Sequence, residues 1–312
     1  MPWLNRILRL AAIAALFTAV AASPLQAQAP AVADEDDAAT TLPAPEHEET
    51  RELMTRVDAA VEAVEGEGVE VACSLFKEEG ASWHPDADSY VFINDIDGTS
   101  LCHPGKPGLE GTSVLGLRDP YGKPIVENFE RETEADGEGW VHYLWPRAAG
   151  GTFYWKSTYV RRAGTLEGKE VIVGSGEFDL PMERLFVVEQ VDDAVALIQA
   201  EGEDAFATLR DKASGFRFYD SYVFVMDANG VHLVNAGFPE HEGENMLAFT
   251  DENGKKVGVE MLELLADQDA GWVDYMWPRP GDDPASHKSS YVRRVDLPSG
   301  AVLVVGAGIY TD

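Results

Sequence analysis

Two short blocks concentrate the residue types that can hold a small molecule. The first, Gly139-Trp140-Val141-His142-Tyr143-Leu144-Trp145-Pro146-Arg147, sets a phenol and an indole two residues apart. Side chains two apart on a strand share a face, so Tyr143 and Trp145 can wall one pocket. The second, Lys156-Ser157-Thr158-Tyr159-Val160, adds an ammonium that can pair with a carboxylate or stack on a ring. His103, in Leu101-Cys102-His103-Pro104, can donate a hydrogen bond to the same anion. The plain alternatives are an aromatic core for Tyr143 and Trp145, a solvated strand end for Lys156 and a turn for His103.

A third stretch, Asp95-Ile96-Asp97-Gly98-Thr99, resembles the first motif of aspartate-nucleophile phosphatases, in which paired aspartates hold magnesium and attack phosphate. An Asp-Gly turn between two strands explains the same residues. The chain offers no Ser/His/Asp arrangement, His-Glu-x-x-His or phosphate loop, and the expectation is a protein without catalysis, cofactor or metal.

The chemistry-bearing blocks occur twice. Asp88-Ser89-Tyr90-Val91-Phe92 returns as Asp220-Ser221-Tyr222-Val223-Phe224, and the Trp-Pro block returns as Gly271-Trp272-Val273-Asp274-Tyr275-Met276-Trp277-Pro278-Arg279. Lys156 to Arg162 returns as Lys288 to Arg294, and all these blocks share an offset of 132. Internal repeats of this kind mean one structural unit used twice. The candidate ligand-binding set is therefore His103, Tyr143, Trp145, Lys156 and Tyr159 in the first copy, with Tyr275, Trp277, Lys288 and Tyr291 in the second. Asn235 stands where the first copy has His103, so the two pockets are expected to differ. The phosphatase-like motif fails the same comparison, because the second copy reads Asp227-Ala228-Asn229-Gly230-Val231.

The elements that must position these groups follow from periodicity. Leu53, Val57, Val61 and Val64 form one apolar stripe of a helix over 48–79, bent or broken at Gly66 and Gly68. Strands are predicted over 90–95 and 99–103, a short helix over 123–133, then strands over 140–145, 156–162 and 170–176. A second helical pair over 185–213 links the copies. This order predicts an α+β fold of two tandem units, each a long N-terminal helix packed on a five-stranded antiparallel sheet.

The 312 residues suffice for two domains, and 45% apolar with 10% aromatic content marks a folded protein. Arg6 and Arg9, an apolar run over 10–22 and Ala27-Gln28-Ala29 read as a cleavable export signal over 1–29, too short to span a bilayer. An Ala/Pro/acid-rich disordered spacer is expected over 30–46, a first domain over 47–180 and a second over 181–312. Loss of Arg6 and Arg9 takes the net charge from −31 to −33, which excludes nucleic acid and anionic membrane surfaces as partners. Export places Cys73 and Cys102 in an oxidising compartment, where a disulfide and two buried thiols both remain open.

At the repeated blocks the sequence resembles the single Cache family of extracellular sensor domains. The resemblance rests on Leu101-Cys102-His103-Pro104, Asp119-Pro120-Tyr121-Gly122-Lys123-Pro124, Gly139 to Pro146, Lys156 to Val160, Gly174-Ser175-Gly176, and the matching second-copy elements ending in Gly306-Ala307-Gly308-Ile309-Tyr310. It implies a PAS-like sheet with a pocket for a short organic acid or amino acid, located in the periplasm or outside the cell. No kinase, methyl-accepting coiled coil or cyclase sequence follows in the chain. The implied role is a ligand-binding protein acting through a separate membrane sensor kinase, chemoreceptor or transporter; an interaction module without ligand is the alternative.

Overall fold

The computed structural model describes residues 42–148 and 150–311. The expected export signal over 1–29 and most of the spacer lie outside those residues. Residues 42–46 run without regular structure into helix α1 (Glu48–Glu67), whose start is held by Glu183, which accepts the main-chain N–H of Glu46 at 2.7 Å and of His47 at 3.0 Å.

The first half continues through α2 (Val69–Phe76), β1 (Val91–Asp95), β2 (Ser100–Cys102), α3 (Ile125–Ala135), β3 (Glu138–Pro146), β4 (Phe153–Gly164) and β5 (Glu170–Phe178). The helical stretch predicted over 48–79 breaks at Gly68, one of the two glycines expected to bend or break it, where φ is +83°, a value an L side chain rarely adopts, and it ends at Phe76. The second half holds α4 (Arg184–Glu201), α5 (Ala205–Arg210), the short β6 (Arg217–Phe218) and β7 (Ser221–Tyr222), then β8 (Phe224–Asp227), β9 (His232–Asn235), α6 (Val257–Asp267), β10 (Ala270–Pro278), β11 (Ala285–Asp296) and β12 (Val302–Tyr310).

These elements make two five-stranded sheets, ordered β2-β1-β5-β4-β3 and β9-β8-β12-β11-β10, with every neighbouring pair antiparallel. The order is the same in both, as a constant offset requires. Alternation along each strand sends one side chain to the back, where the long helix packs, and the next to the front, where the short helix and loops lie. In the first sheet Val91, Ile93, Val171 and Val173 meet Ala60, Val61 and Val64 of α1, while Phe92, Val141, Val160 and Ile172 meet Ile125, Val126 and Phe129 of α3. In the second, Val225, Val305 and Ala307 meet Val191, Ala194 and Val195 of α4 on the corresponding back face.

A disulfide joins Cys73 of α2 to Cys102 of β2, with Cα atoms 5.6 Å apart. Ala205 and Val234 occupy the matching positions in the second half and are fully buried, so packing replaces the bond there.

The back of the first sheet also docks the second half. The ring of His142 lies 4.0 Å from that of Phe218, and Trp140 lies 4.8 Å from Phe186 of α4. Ser157 Oγ bonds His142 Nδ1 at 2.8 Å and Tyr219 OH at 3.1 Å. Lys123 ties the two chain segments together, its Nζ donating to the carbonyls of His142 at 2.8 Å and Arg217 at 3.2 Å. On the second sheet the positions of His142 and Ser157 are Asp274, which is exposed, and Ser289. The second sheet therefore ends the stack with a polar residue where the first has a docking ring.

Candidate functional site

Strand parity sorts the predicted residues. Tyr143, Trp145 and Lys156 project to the front of the first sheet, and Tyr143 and Lys156 are direct cross-strand partners on β3 and β4. Tyr159 lies an odd number of residues from Lys156 and so projects to the back, where it packs with Leu53, Val57 and Trp140. Tyr291 does the same in the second half, packed with Val187, Val191 and Val195. Neither tyrosine reaches a pocket, which corrects their placement beside the two lysines.

A cavity of about 30 Å³, measured as room for the centres of water molecules, opens between the front of the first sheet, α3 and the loop after β2. His103, Tyr143, Trp145 and Lys156 all line it, and so do Tyr90, Phe92 and Asn94 from the β1 strand and its approach. Its wall holds one ammonium and no carboxylate, although the chain has 55 acidic residues.

Lys156 is only 3% exposed and its ammonium lies 4.6 Å from the ring centres of both Tyr90 and Phe178. Nζ donates to the Asp88 carbonyl at 2.8 Å, which leaves two of its three N–H groups for another acceptor. Burial pulls the ammonium down to about 8, against the opposing pull of Glu177 and Asp88. Gly176 makes this lysine possible: a Cβ there would fall 2.8 Å from Lys156 Cε and 2.3 Å from Thr158 Oγ1.

His103 is held as a neutral donor. Its Nδ1 accepts the main-chain N–H of Lys106 at 3.0 Å, and burial followed by the charge of Lys156 pushes it down to about 4. With Nδ1 an acceptor on a neutral ring, the proton sits on Nε2. The ring stacks on Phe92 at 6.1 Å and lies tilted against Tyr90 at 5.1 Å. Tyr143 OH is satisfied by Thr158 Oγ1 at 2.8 Å, and burial drives its ionisation far above neutral pH, so it contributes a fixed neutral wall. Trp145 stands edge-on to Tyr143 at 6.0 Å, with Lys106 Nζ 4.7 Å over its ring.

The second front face is built alike but closed. Tyr275 OH bonds Ser290 Oγ at 2.9 Å, mirroring Tyr143 and Thr158. The cavity beside it is about 10 Å³; Met226 and Met246 stand where the first half has the smaller Asn94 and Val114, and Met261 replaces Phe129. Trp277 is buried under Phe249 at 5.0 Å and Phe238 at 6.0 Å. Lys288 is fully buried with its Nζ 3.9 Å over Tyr222 and 5.0 Å from Tyr310, and it has no hydrogen-bond partner among the described residues. Burial pulls it down to about 7, further than Lys156. Asn235 keeps one task of His103: its Oδ1 accepts the main-chain N–H of Phe238 at 2.9 Å, as His103 Nδ1 accepts that of Lys106. The Nδ2 group of Asn235 is the donor in place of the His103 Nε2–H, and it lies 3.3 Å from His232 Nδ1.

Two motifs singled out in the sequence hold backbone. Asp95 Oδ1 accepts the N–H groups of Asp97 at 3.1 Å and Thr99 at 2.7 Å, and Asp227 does the same for Asn229 and Val231, so the phosphatase-like stretch is a turn between strands. Asp119 and Asp251 of the Asp-x-x-Gly-Lys turns fasten those turns to the main chain of Leu144 and Met276 at 3.2 and 2.9 Å. Among the described residues no helix is long and apolar enough to cross a membrane.

The Cache domain family model matches residues 81–312, a stretch that includes both sheets and both pockets. The methyl-accepting chemotaxis protein McpP of Pseudomonas putida is 32% identical over 94 residues, 30% of this chain and 17% of that protein. The sensor histidine kinase MctS of Rhizobium johnstonii is 33% identical over 93 residues, 30% of this chain and 19% of that protein. A solved Cache chemosensory domain, described for carboxylic acid recognition, aligns at 26% identity with a TM-score of 0.35, covering 40% of this chain and 91% of that one. This chain thus spans a small part of the curated relatives' length. With a match that runs through both sheets and takes in the walls of both pockets, the chain belongs to the Cache domain family.

Proposed function

We propose that the protein is a periplasmic sensor of two tandem Cache domains, residues 47–180 and 181–312, of which the first binds a short organic carboxylate in the Lys156 pocket. The observation that carries this reading is a buried ammonium at the wall of a cavity whose lining holds no carboxylate, in a protein of net charge −31. An anion entering this cavity meets the free N–H groups of Lys156 and the Nε2–H of His103, both charge-assisted or neutral donors in a low-dielectric wall. An amino acid is less well served, since its ammonium would have no carboxylate to pair with. The second pocket acts as packing, with Lys288 caged by tyrosines.

The matched relatives are a chemoreceptor and a sensor kinase, and a membrane protein of either kind, or a transporter, is the partner that would read the bound form. Calorimetric titration of the purified protein with acetate, propanoate and butanoate tests the assignment. Saturable binding that Lys156→Met abolishes is expected. Equal binding by wild type and Lys156→Met, or none by wild type, contradicts it.

A further inference from the structure

Asn94 is a polar residue in an apolar place. Its neighbours in the cavity wall away from Lys156 are Phe92, Val114, Ile125, Val126 and Phe129. It is 3% exposed, and its Oδ1 is buried with no hydrogen-bond partner among the described residues. Directly across the antiparallel pair stands Ser100 of β2, fully buried, whose Oγ also lacks a partner. The pairing shifts register between Ile93 and Asn94, and of the two residues Asn94 is the one that lines the cavity. Buried polar groups are hydrogen-bonded almost without exception, and an acceptor left open in a cavity wall marks a place for a group that can donate.

The second half has discarded both. Met226 replaces Asn94 and His232 replaces Ser100, and there the cavity shrinks to about 10 Å³. The Asn94 amide therefore goes with the larger of the two cavities. A charged amine is excluded at this end, because no carboxylate lines the cavity to offset its desolvation. A hydroxyl carries no such cost.

We propose that Asn94 selects a carboxylate bearing a hydroxyl at the end of its chain remote from the carboxylate. The proposal rests on the reading that Lys156 and His103 hold the carboxylate. Phe92 stacks on His103, and Asn94 lies two residues further along β1, roughly 7 Å of strand deeper. That separation exceeds the reach of a hydroxyl on the carbon next to the carboxylate. It suits a terminal hydroxyl on a chain of about three to six carbons, a length set by the same strand rise.

Two series of ligands titrated calorimetrically into the purified protein test this: acetate, propanoate, butanoate and hexanoate, and the same acids with a terminal hydroxyl. At the best chain length the hydroxylated acid is expected to bind about tenfold more tightly than its plain counterpart, the scale of one buried hydrogen bond gained. Asn94→Met, which installs the second half's residue, and Asn94→Leu are expected to bring the two series to equal affinity while plain acids still bind. Equal affinity of the two series in wild type, with water alone serving Asn94, overturns the proposal and leaves the carboxylate reading intact. Failure of both series to bind wild type overturns the carboxylate reading itself. The wild-type ratio decides the matter even if an Asn94 variant does not fold.

Discussion

The two front faces share a sheet order, a tyrosine bonded to a β-hydroxyl side chain, a tryptophan and a buried lysine, yet one holds a cavity of about 30 Å³ and the other one of about 10 Å³. The difference teaches which residues serve the fold and which serve a ligand. The Tyr143–Thr158 and Tyr275–Ser290 bonds, the Asp119 and Asp251 turn anchors and the Gly176 and Gly308 crossings persist in both halves, and each has a structural duty. His103 and Asn94 line the larger cavity of the first half, where the second half has Asn235 and Met226 beside the smaller one. Most of what both copies keep holds the sheet together, whereas Lys156 and Lys288 are one residue type in two different surroundings.

The largest effect expected from breaking this comparison is at Lys156. Lys156→Met removes the ammonium facing the cavity and should weaken carboxylate binding by about a hundredfold or more, as loss of a buried charged hydrogen bond does. The same substitution at Lys288 should leave binding unchanged. It should also raise the stability of the second half by about 2 kcal/mol, because an apolar side chain replaces a buried charge lacking hydrogen bonds. Calorimetry and urea denaturation of both variants check the pair.

Next is the disulfide, which the first half has and the second lacks. Cys73→Ala with Cys102→Ala should cost about 3.6 kcal/mol, the chain-entropy value for a loop of this length. Hydrogen exchange should show the loss in α2 and β2, with the second sheet unaffected.

The two lysines also separate by pH. A lysine whose folded-state ionisation is pulled down binds fewer protons in the native state than in the unfolded state, so stability rises with pH between the folded and unfolded values. That rise should begin near pH 7 for Lys288 and near pH 8 for Lys156, and end near pH 10 for both, where the unfolded lysine loses its proton. Lys288→Met should abolish the lower part of the rise. Carboxylate affinity should move oppositely, falling as pH passes about 8, because only the ammonium form of Lys156 pairs with the anion.

The smallest effect is at the junction. Ser157→Ala removes the hydroxyl that bonds both His142 and Tyr219, and should cost about 1 kcal/mol, with faster exchange of the 217–219 amides. Ser289→Ala, at the matching position with no partner for its Oγ, should be close to neutral.

Much of this was legible in the sequence. The 132-residue offset implied two like sheets, and the Tyr-x-Trp and Lys blocks marked their front faces. Tyr159 was misplaced although period-two alternation from Lys156 already sends it to the back; shared motif membership had outweighed parity. Asn94 escaped because comparing copies favours what they share, and Met226 removes the signal. The replacement of His103 by Asn235 was visible, but its meaning needed the loop geometry: both side chains accept the same N–H, and the Nδ2 donor of Asn235 lies against His232. The cysteine pair needed α2 brought against β2, a tertiary contact that no local pattern encodes.

The central claim, one binding pocket per chain and that in the first half, is tested most directly by calorimetric stoichiometry. Wild type and Lys288→Met should each bind one carboxylate per chain with the same affinity, and Lys156→Met none. Two sites per chain, or binding lost in Lys288→Met and kept in Lys156→Met, would contradict it.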